Sequence, residues 1–228
     1  MVSLDGEELV MSPRHLLHQL APHVEIWNKY DCFPGIMGEV FATVGFSDFQ
    51  PWNGDAAWKE FELALEYIQN SWLPKVHHNL VFASEKKGAG KSMLMAVIRR
   101  ELGEVPSVWI NEHELIKRIF KWDGDAYEYI DAIRDVPVLF YDDFGVTAGM
   151  SRNETAQGML YYLIHYRWEH QLPMVVSSNL LIKEMAEDYS RLARRLIEPP
   201  FGTDYVCYWP FRFAESYSNR FIKVGKSP

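Results

Sequence analysis

The stretch that most constrains this chain is a change of character after residue 78. The apolar run Asn79-Leu80-Val81-Phe82-Ala83 gives way to Ser84-Glu85-Lys86-Lys87-Gly88-Ala89-Gly90-Lys91-Ser92, and that turn opens into Met93-Leu94-Met95-Ala96-Val97-Ile98. Strand, glycine-rich turn, Lys-Ser and helix, in that order, make a phosphate cradle. Glycines let successive backbone N–H groups point into one concavity, and the helix N-terminus adds positive dipole there. Lys91 is then placed to reach the β- and γ-phosphates of a nucleotide, and the Ser92 hydroxyl to ligate Mg²⁺. The full pattern, G-x-x-x-x-G-K-[ST], has glycine where this chain has Glu85. A carboxylate there repels phosphate unless it points away, and Lys86 and Lys87 offset it. Taken alone, the stretch has an alternative reading as a surface turn with a lysine pair.

A second element bears on the choice. Val138-Leu139-Phe140-Tyr141-Asp142-Asp143-Phe144-Gly145 is an apolar run ending in two carboxylates. Phosphate chemistry needs a carboxylate at a strand end beside the cradle, to support Mg²⁺. Asp142 fits that role, and Asp143 is placed to orient or deprotonate an attacking water. Asp is one methylene shorter than Glu, so slow hydrolysis is expected. The alternative is a strand ending in a solvated acidic turn.

Two further pieces follow. Leu172-Pro173-Met174-Val175-Val176-Ser177-Ser178-Asn179-Leu180 is a short apolar strand ending in Ser-Ser-Asn. The Asn179 amide can hold the water or the γ-phosphate, or it can cap the next helix. Arg191-Leu192-Ala193-Arg194-Arg195-Leu196 places guanidiniums on related faces of a helix. They are suited to a neighbouring subunit's γ-phosphate, or to pairing with Glu184, Glu187 and Asp188.

The rest of the chain alternates strand and helix. Strands are expected at Leu80–Ala83, Ser107–Asn111, Val136–Tyr141, Met174–Ser177 and Tyr205–Trp209. Helices are expected at Lys91–Leu102, Glu112–Trp122, Ala126–Arg134, Glu154–His170 and Lys183–Leu196, the fourth with Met159, Tyr162, Leu163 and Tyr166 on one side. This alternation argues for α/β architecture, a parallel sheet covered by helices on both faces. Before it, Trp58, Phe61, Leu65, Ile68 and Trp72 recur at helical steps up to Pro74. Residues 1–53 are punctuated by Gly and Pro and read as an appendage, with short helices around 14–20 and 24–29.

Composition narrows the classes. At 228 residues and 48% hydrophobic, the chain can bury one sizeable core. A net charge of −8 argues against a protein that grips nucleic acid over its whole surface, so such contact should be local or created by oligomerisation. Cys32 and Cys207 lie far apart with no C-x-x-C pair, which favours a reduced setting over a single disulfide. The scattered histidines have no third ligand at metal spacing, so a structural metal is not expected. The acidic start lacks a signal-peptide layout, and no apolar run approaches the ~20 residues of a membrane span. A soluble, cytoplasmic protein is expected.

The four pieces together resemble an AAA+ ATPase of the initiator clade, and within it the DnaC-type helicase loaders and IstB-type transposition ATPases. Phe46-Ser47-Asp48-Phe49 is similar to the F-x-x-F lead-in of the loaders. Leu172–Asn179 is similar to their L-P-x-h-h-x-S-N form, and Glu215-Ser216-Tyr217-Ser218-Asn219-Arg220 to their E/G-x-S-x-R tail. The likeness covers roughly residues 40–222. It implies a five-stranded parallel sheet of order 5-1-4-3-2 with helices on both sides and no separate helical lid, only about 30 residues following Arg195. It implies a small partner-binding segment over 1–50 and an ATPase domain over 51–228.

By position, it implies that Gly88, Ala89, Gly90, Lys91, Ser92 and Met93 bind ATP, and that Ser92 and Asp142 hold Mg²⁺. Asp143 takes the base position, Asn179 senses nucleotide, and Arg195, with Arg191 as second candidate, reaches the neighbour's phosphate. A helix after the second strand faces single-stranded DNA in this family. Here that helix carries Lys117, Arg118 and Lys121 with Phe120 and Trp122, an electrostatic and stacking platform. The alternative is an amphipathic helix with Ile116, Ile119 and Phe120 packed inward. The implied function is ATP-dependent loading of a hexameric replicative helicase by a self-assembling oligomer. An IstB-like partner of a transposase, or an adaptor with weak or no hydrolysis, stands beside it.

Overall fold

The computed structural model describes residues 23–33, 79–83, 85, 87–88, 90–103, 105–120, 125–145, 154–188, 190–197 and 208–210. The short helix at 14–20, the Phe46–Phe49 lead-in, the Trp58–Trp72 helix, Ala89, Lys121, Cys207 and the Glu215–Arg220 tail lie outside them.

After a helix over residues 23–30 (α1), elements follow in the expected alternation. They are β1 (Leu80–Ala83), α2 (Lys91–Glu101), β2 (Ser107–Asn111), α3 (Glu112–Phe120), α4 (Asp125–Ile133), β3 (Val138–Phe144), α5 (Glu154–Glu169), β4 (Met174–Ser178), α6 (Ile182–Asp188), α7 (Ser190–Ile197) and β5 (Tyr208–Pro210). The sheet is parallel, in the order β2-β3-β4-β1-β5. Every residue of β1 and β4 is buried, as expected of central strands with helices on both faces. Trp109 of β2 lies opposite Phe140 of β3, and the two rings stack at 5.5 Å between centroids.

Three expectations need correction. β3 does not stop at Tyr141 but runs through both aspartates to Phe144, because a shift in the β3–β4 register between Tyr141 and Phe144 lets the strand continue past them. The single helix expected over Lys183–Leu196 is two, α6 ending at Asp188 and α7 starting at Ser190, a residue type that favours helix starts. In α5 the inward stripe is Ala156, Met159, Leu160, Leu163, Ile164 and Arg167, not Met159, Tyr162, Leu163 and Tyr166. The aliphatic positions repeat at three- and four-residue steps. Tyr162 and Tyr166 turn outward, where their hydroxyls donate to Asp131 and Asp135 of the neighbouring segment.

Part of the supposed appendage belongs to the core. Trp27 and Tyr30 are buried in the main apolar cluster, and the Trp27 indole N–H donates to the Ala132 carbonyl at 2.9 Å. Asp31 accepts from both terminal nitrogens of Arg99 (2.9 and 2.6 Å) and from the Trp109 N–H of β2 at 2.8 Å. The Cys32 N–H returns a bond to the Trp109 carbonyl at 2.8 Å. The chain's own residues 31–32 thus satisfy main-chain groups of β2 that its neighbour β3 does not. Cys32 is a free thiol.

Candidate nucleotide site

Gly90 is the cap residue of α2, with φ 90°, a left-handed backbone that glycine adopts without strain. That turn delivers Lys91 and Ser92 to the first turn of the helix, at the C-terminal end of β1. Met93 to Ile98 are all buried, so α2 is anchored through its length. The Met93 side chain is therefore a core residue, and any contact of Met93 with a ligand falls to its backbone. Glu85, Lys87 and Gly88 are exposed.

The side chains converge. Lys91 is 6% exposed and its ammonium donates to Asn179 Oδ1 at 2.8 Å. Ser92 donates to Asp142 Oδ1 at 2.8 Å. Asp142 is 2% exposed, which removes the reading of a solvated acidic turn. Asp143 is less buried, with φ 58°, a left-handed conformation that Asp tolerates better than most residues. Its Oδ1 accepts from the Asn179 amide and its Oδ2 from the Asn111 amide, both long contacts at 3.4 Å.

Asn179 does not cap α6. The bonds at that helix start come from Ser178, whose hydroxyl accepts the Leu180 N–H at 3.0 Å, and from Glu184, which accepts the Leu181 N–H at 2.7 Å. Asn179 is left bridging Lys91 and Asp143.

Sequence reasoning missed three contributors. Ser177 is fully buried; its hydroxyl accepts the Asp143 N–H at 2.9 Å and donates to Asp142 Oδ1. It thereby supplies the partner that the irregular β3–β4 register takes from Asp143. Asn111 ends β2, and its Oδ1 accepts the His113 N–H at 2.9 Å, starting α3. Glu112 is fully buried and its Oε2 accepts the Gly145 N–H at 2.7 Å and the Tyr141 hydroxyl at 3.3 Å. Glu112 so fixes the turn that follows Asp143. Polar residues at or near the C-terminal ends of β2, β3 and β4 were the available signal.

Burial shapes the charges. Loss of solvent pushes the Lys91 ammonium below its ordinary pKa, opposed by Asp143 and then Asp142. Loss of solvent likewise pushes the Asp142 carboxyl above its ordinary range, opposed chiefly by the Ser177 hydroxyl. Both groups are costly as they stand and would gain from an added partner of opposite charge: phosphate for Lys91, a divalent cation for Asp142. One hydroxyl and one carboxylate, completed by water and phosphate oxygens, is a donor set that suits Mg²⁺.

The remaining candidates lie elsewhere. Asn79 precedes β1 and donates to the Arg195 and Leu196 carbonyls at 3.2 and 3.3 Å. Four residues of β1, about 13 Å, separate that end from the glycine turn. The backbone of Arg195 is therefore anchored at the end of β1 away from its own chain's Lys91. Arg191 and Arg194 are exposed, and Arg195 is partly buried. On α3, Lys117 is exposed and pairs with Glu114 at 3.4 Å, whereas the Arg118 guanidinium lies 4.8 Å from the centre of the Tyr129 ring. Ile116 and Ile119 pack inward and Phe120 is 46% exposed. The structure does not bring Lys117 and Arg118 to one face.

Among solved structures, the chain is similar to DnaI at 23% identity, over 71% of this chain and 87% of that one, with TM-score 0.59. It is similar to a candidate primosome component of Streptococcus pyogenes serotype M3 at 23% identity, over 68% and 82%, TM-score 0.56. It is similar to the DnaC helicase loader at 17% identity, over 69% and 92%, TM-score 0.55. The chain shares its fold with DnaI and the DnaC helicase loader. AMPPCP-bound DnaA from Aquifex aeolicus shares it at 15% identity, over 67% of this chain and 47% of that one, TM-score 0.54. No family model matches the sequence, and no curated protein does. No described helix is long and apolar enough to cross a membrane.

Proposed function

We propose that this protein is an ATP-dependent loader of a replicative DNA helicase, assembling into an oligomer with ATP at its subunit interfaces. The observation that carries the reading is the convergence of Lys91, Ser92, Asp142, Asp143 and Asn179 at one set of strand ends. The likeness to DnaI and the DnaC helicase loader supports it, as does DnaA having been solved with a nucleotide analogue.

Each residue has a task in this reading. Lys91 exchanges the neutral Asn179 oxygen for phosphate oxygens, a stronger charge-assisted bond. Ser92 and Asp142 hold Mg²⁺, whose chemistry is to offset charge on the phosphates. Asp143 accepts the proton of the attacking water at a carboxylate oxygen. Asn111 and Asn179 orient that carboxylate from both sides and compete for its lone pairs, in keeping with slow turnover. Arg195 completes the site of the next subunit. Lys117 is the exposed cation of α3 available to single-stranded DNA. The segment over residues 1–50 grips the helicase.

The test is capture from a host lysate together with ATP hydrolysis. Recovery of a hexameric helicase is expected, and recovery of a transposase instead sinks the loader reading. Hydrolysis should fall for Lys91→Ala and for Arg195→Ala, and return in part when the two are mixed. Absence of hydrolysis in every condition, with and without single-stranded DNA, would point to the adaptor.

A further inference from the structure

The arginine assigned above to the neighbour's phosphate is held on its own subunit by a specific set of side chains from α5. Arg195 Nε lies 2.8 Å from His165 Nδ1, and Arg195 Nη1 donates to the Arg191 carbonyl at 3.1 Å. The guanidinium carbon lies 4.7 Å from the centre of the Tyr161 ring and 5.6 Å from that of Trp168. The His165 ring in turn stacks on Trp168 at 6.1 Å and tilts against Tyr161 at 5.1 Å. The spacing of Tyr161, His165 and Trp168 at four and three residues puts all three on one face of α5.

The hydrogen bonds fix the imidazole. Arginine Nε can only donate, so His165 Nδ1 must carry a lone pair. The ring proton then resides on Nε2, which lies 3.2 Å from Glu169 Oε1 and donates to it. The relay runs from Arg195 to His165 to Glu169, and every group in it has the donor or acceptor its neighbour needs. Glu169 holds the imidazole in that tautomer. The two rings offer their π-faces to the cation. A long side chain that would otherwise sample many rotamers is confined before any ligand arrives.

We propose that His165, backed by Glu169, is the positioning residue of Arg195, and that Tyr161, His165 and Trp168 form a seat that pre-orders its guanidinium for a nucleoside triphosphate held by a second copy of this chain. The inference rests on the reading of Arg195 as the group that completes a neighbour's site. Ordering by the seat lowers the entropy lost when the phosphate is engaged, and so acts on turnover more than on binding of nucleotide by the subunit's own Lys91.

Two substitutions separate the parts of the seat. His165→Phe keeps an aromatic ring and removes the acceptor; His165→Asn removes the ring and keeps an acceptor near the Nδ1 position. With single-stranded DNA present, His165→Phe should lower kcat for ATP on the order of tenfold with KM little changed, and His165→Asn should recover most of the loss. In an Arg195→Ala background, His165→Phe should cost nothing further, the non-additivity expected of one unit. Loss of kcat in Arg195→Ala with none in His165→Phe overturns the seat alone. Full turnover in Arg195→Ala overturns the assignment of Arg195 beneath it.

A readout independent of hydrolysis is the Arg195 Nε–H resonance in ¹⁵N-arginine-labelled full chain without nucleotide. Slow exchange with water is expected for wild type and His165→Asn, and fast exchange for His165→Phe. Fast exchange in the wild type overturns the seat whatever the activity.

Discussion

The two ends of the sheet bury charge in opposite ways. At the N-terminal ends of β3 and β4, Arg167 is fully buried and its terminal nitrogens donate to four main-chain carbonyls. These belong to Arg134 (2.8 Å), Val136 (2.7 Å), Pro137 (3.4 Å) and Pro173 (2.7 Å). Burial pushes its pKa down to about 9, which leaves it charged at neutral pH. Asn79 works beside it, accepting the Met174 N–H at 2.9 Å while donating to the end of α7. At the C-terminal ends, Lys91, Asp142, Asp143 and Asn179 bond to side chains, their own and those of Ser92, Ser177 and Asn111. Main-chain carbonyls cannot leave without unfolding the segment that carries them, whereas side-chain partners can be exchanged one at a time. The Arg167 end is built to be permanent and the Lys91 end to accept substitutes.

The largest effect expected from this difference is at Arg167. Arg167→Leu removes the donors and leaves several buried carbonyls without a partner, a loss of about 3–5 kcal/mol. Urea unfolding monitored by circular dichroism measures it. Arg167→Lys keeps the charge but not the planar fork and should recover only part of the loss. A variant within about 1 kcal/mol of wild type would break the contrast, since surface positions commonly fall in that range.

Lys91 should behave in the reverse sense. Its ammonium is 6% exposed and its favourable neighbours do not restore its ordinary pKa. Lys91→Met removes that cost, so the nucleotide-free protein should gain stability or stay level, within about 1 kcal/mol. The same variant should lose the rise in melting temperature that ATP with Mg²⁺ gives the wild type, because a ligand stabilises only what it binds. Thermal melts with and without nucleotide read both effects. Marked destabilisation of the free protein would mean that Lys91 is structural, like Arg167.

The same distinction explains what the sequence could disclose. The alternation of apolar runs was enough for every strand and most helices, because β1 and the first residues of β3 and β4 are buried and read as short continuous apolar runs. Lys91, Ser92, Asp142 and Asn179 stood out because phosphate chemistry restricts residue type and spacing together, and the structure brings their side chains within hydrogen-bond distance of one another in pairs. Arg167 was not: one arginine near the end of a helix with an apolar face carries no local sign of the carbonyls it will meet from two other segments. Asp31 escaped for the same reason, since its partners Arg99 and Trp109 are distant in sequence. Ser177 lay beside Asn179 in view, but its role depends on the β3–β4 irregularity, which no periodicity announces.

The smallest effect sharpens the comparison by its sign with pH. Asp142 has its carboxyl pKa raised in the folded state, principally by burial, against about 3.9 in an unfolded chain. Between those two values the folded protein binds more protons than the unfolded one, so stability falls as pH rises through the window. What Asp142 contributes is fully present below the unfolded value and is lost above the folded one. An Asp142→Asn variant lacks this titration. In the absence of nucleotide and Mg²⁺, it should gain on the wild type as the pH rises from about 4 to 7, and the two should converge at the acid end. Urea midpoints taken for both proteins along that series measure the difference directly. A difference that instead shrinks as pH rises would mean that the carboxylate is already well paired at the Lys91 end. That outcome would remove the reason for expecting a cation there, and with it half of the contrast with Arg167.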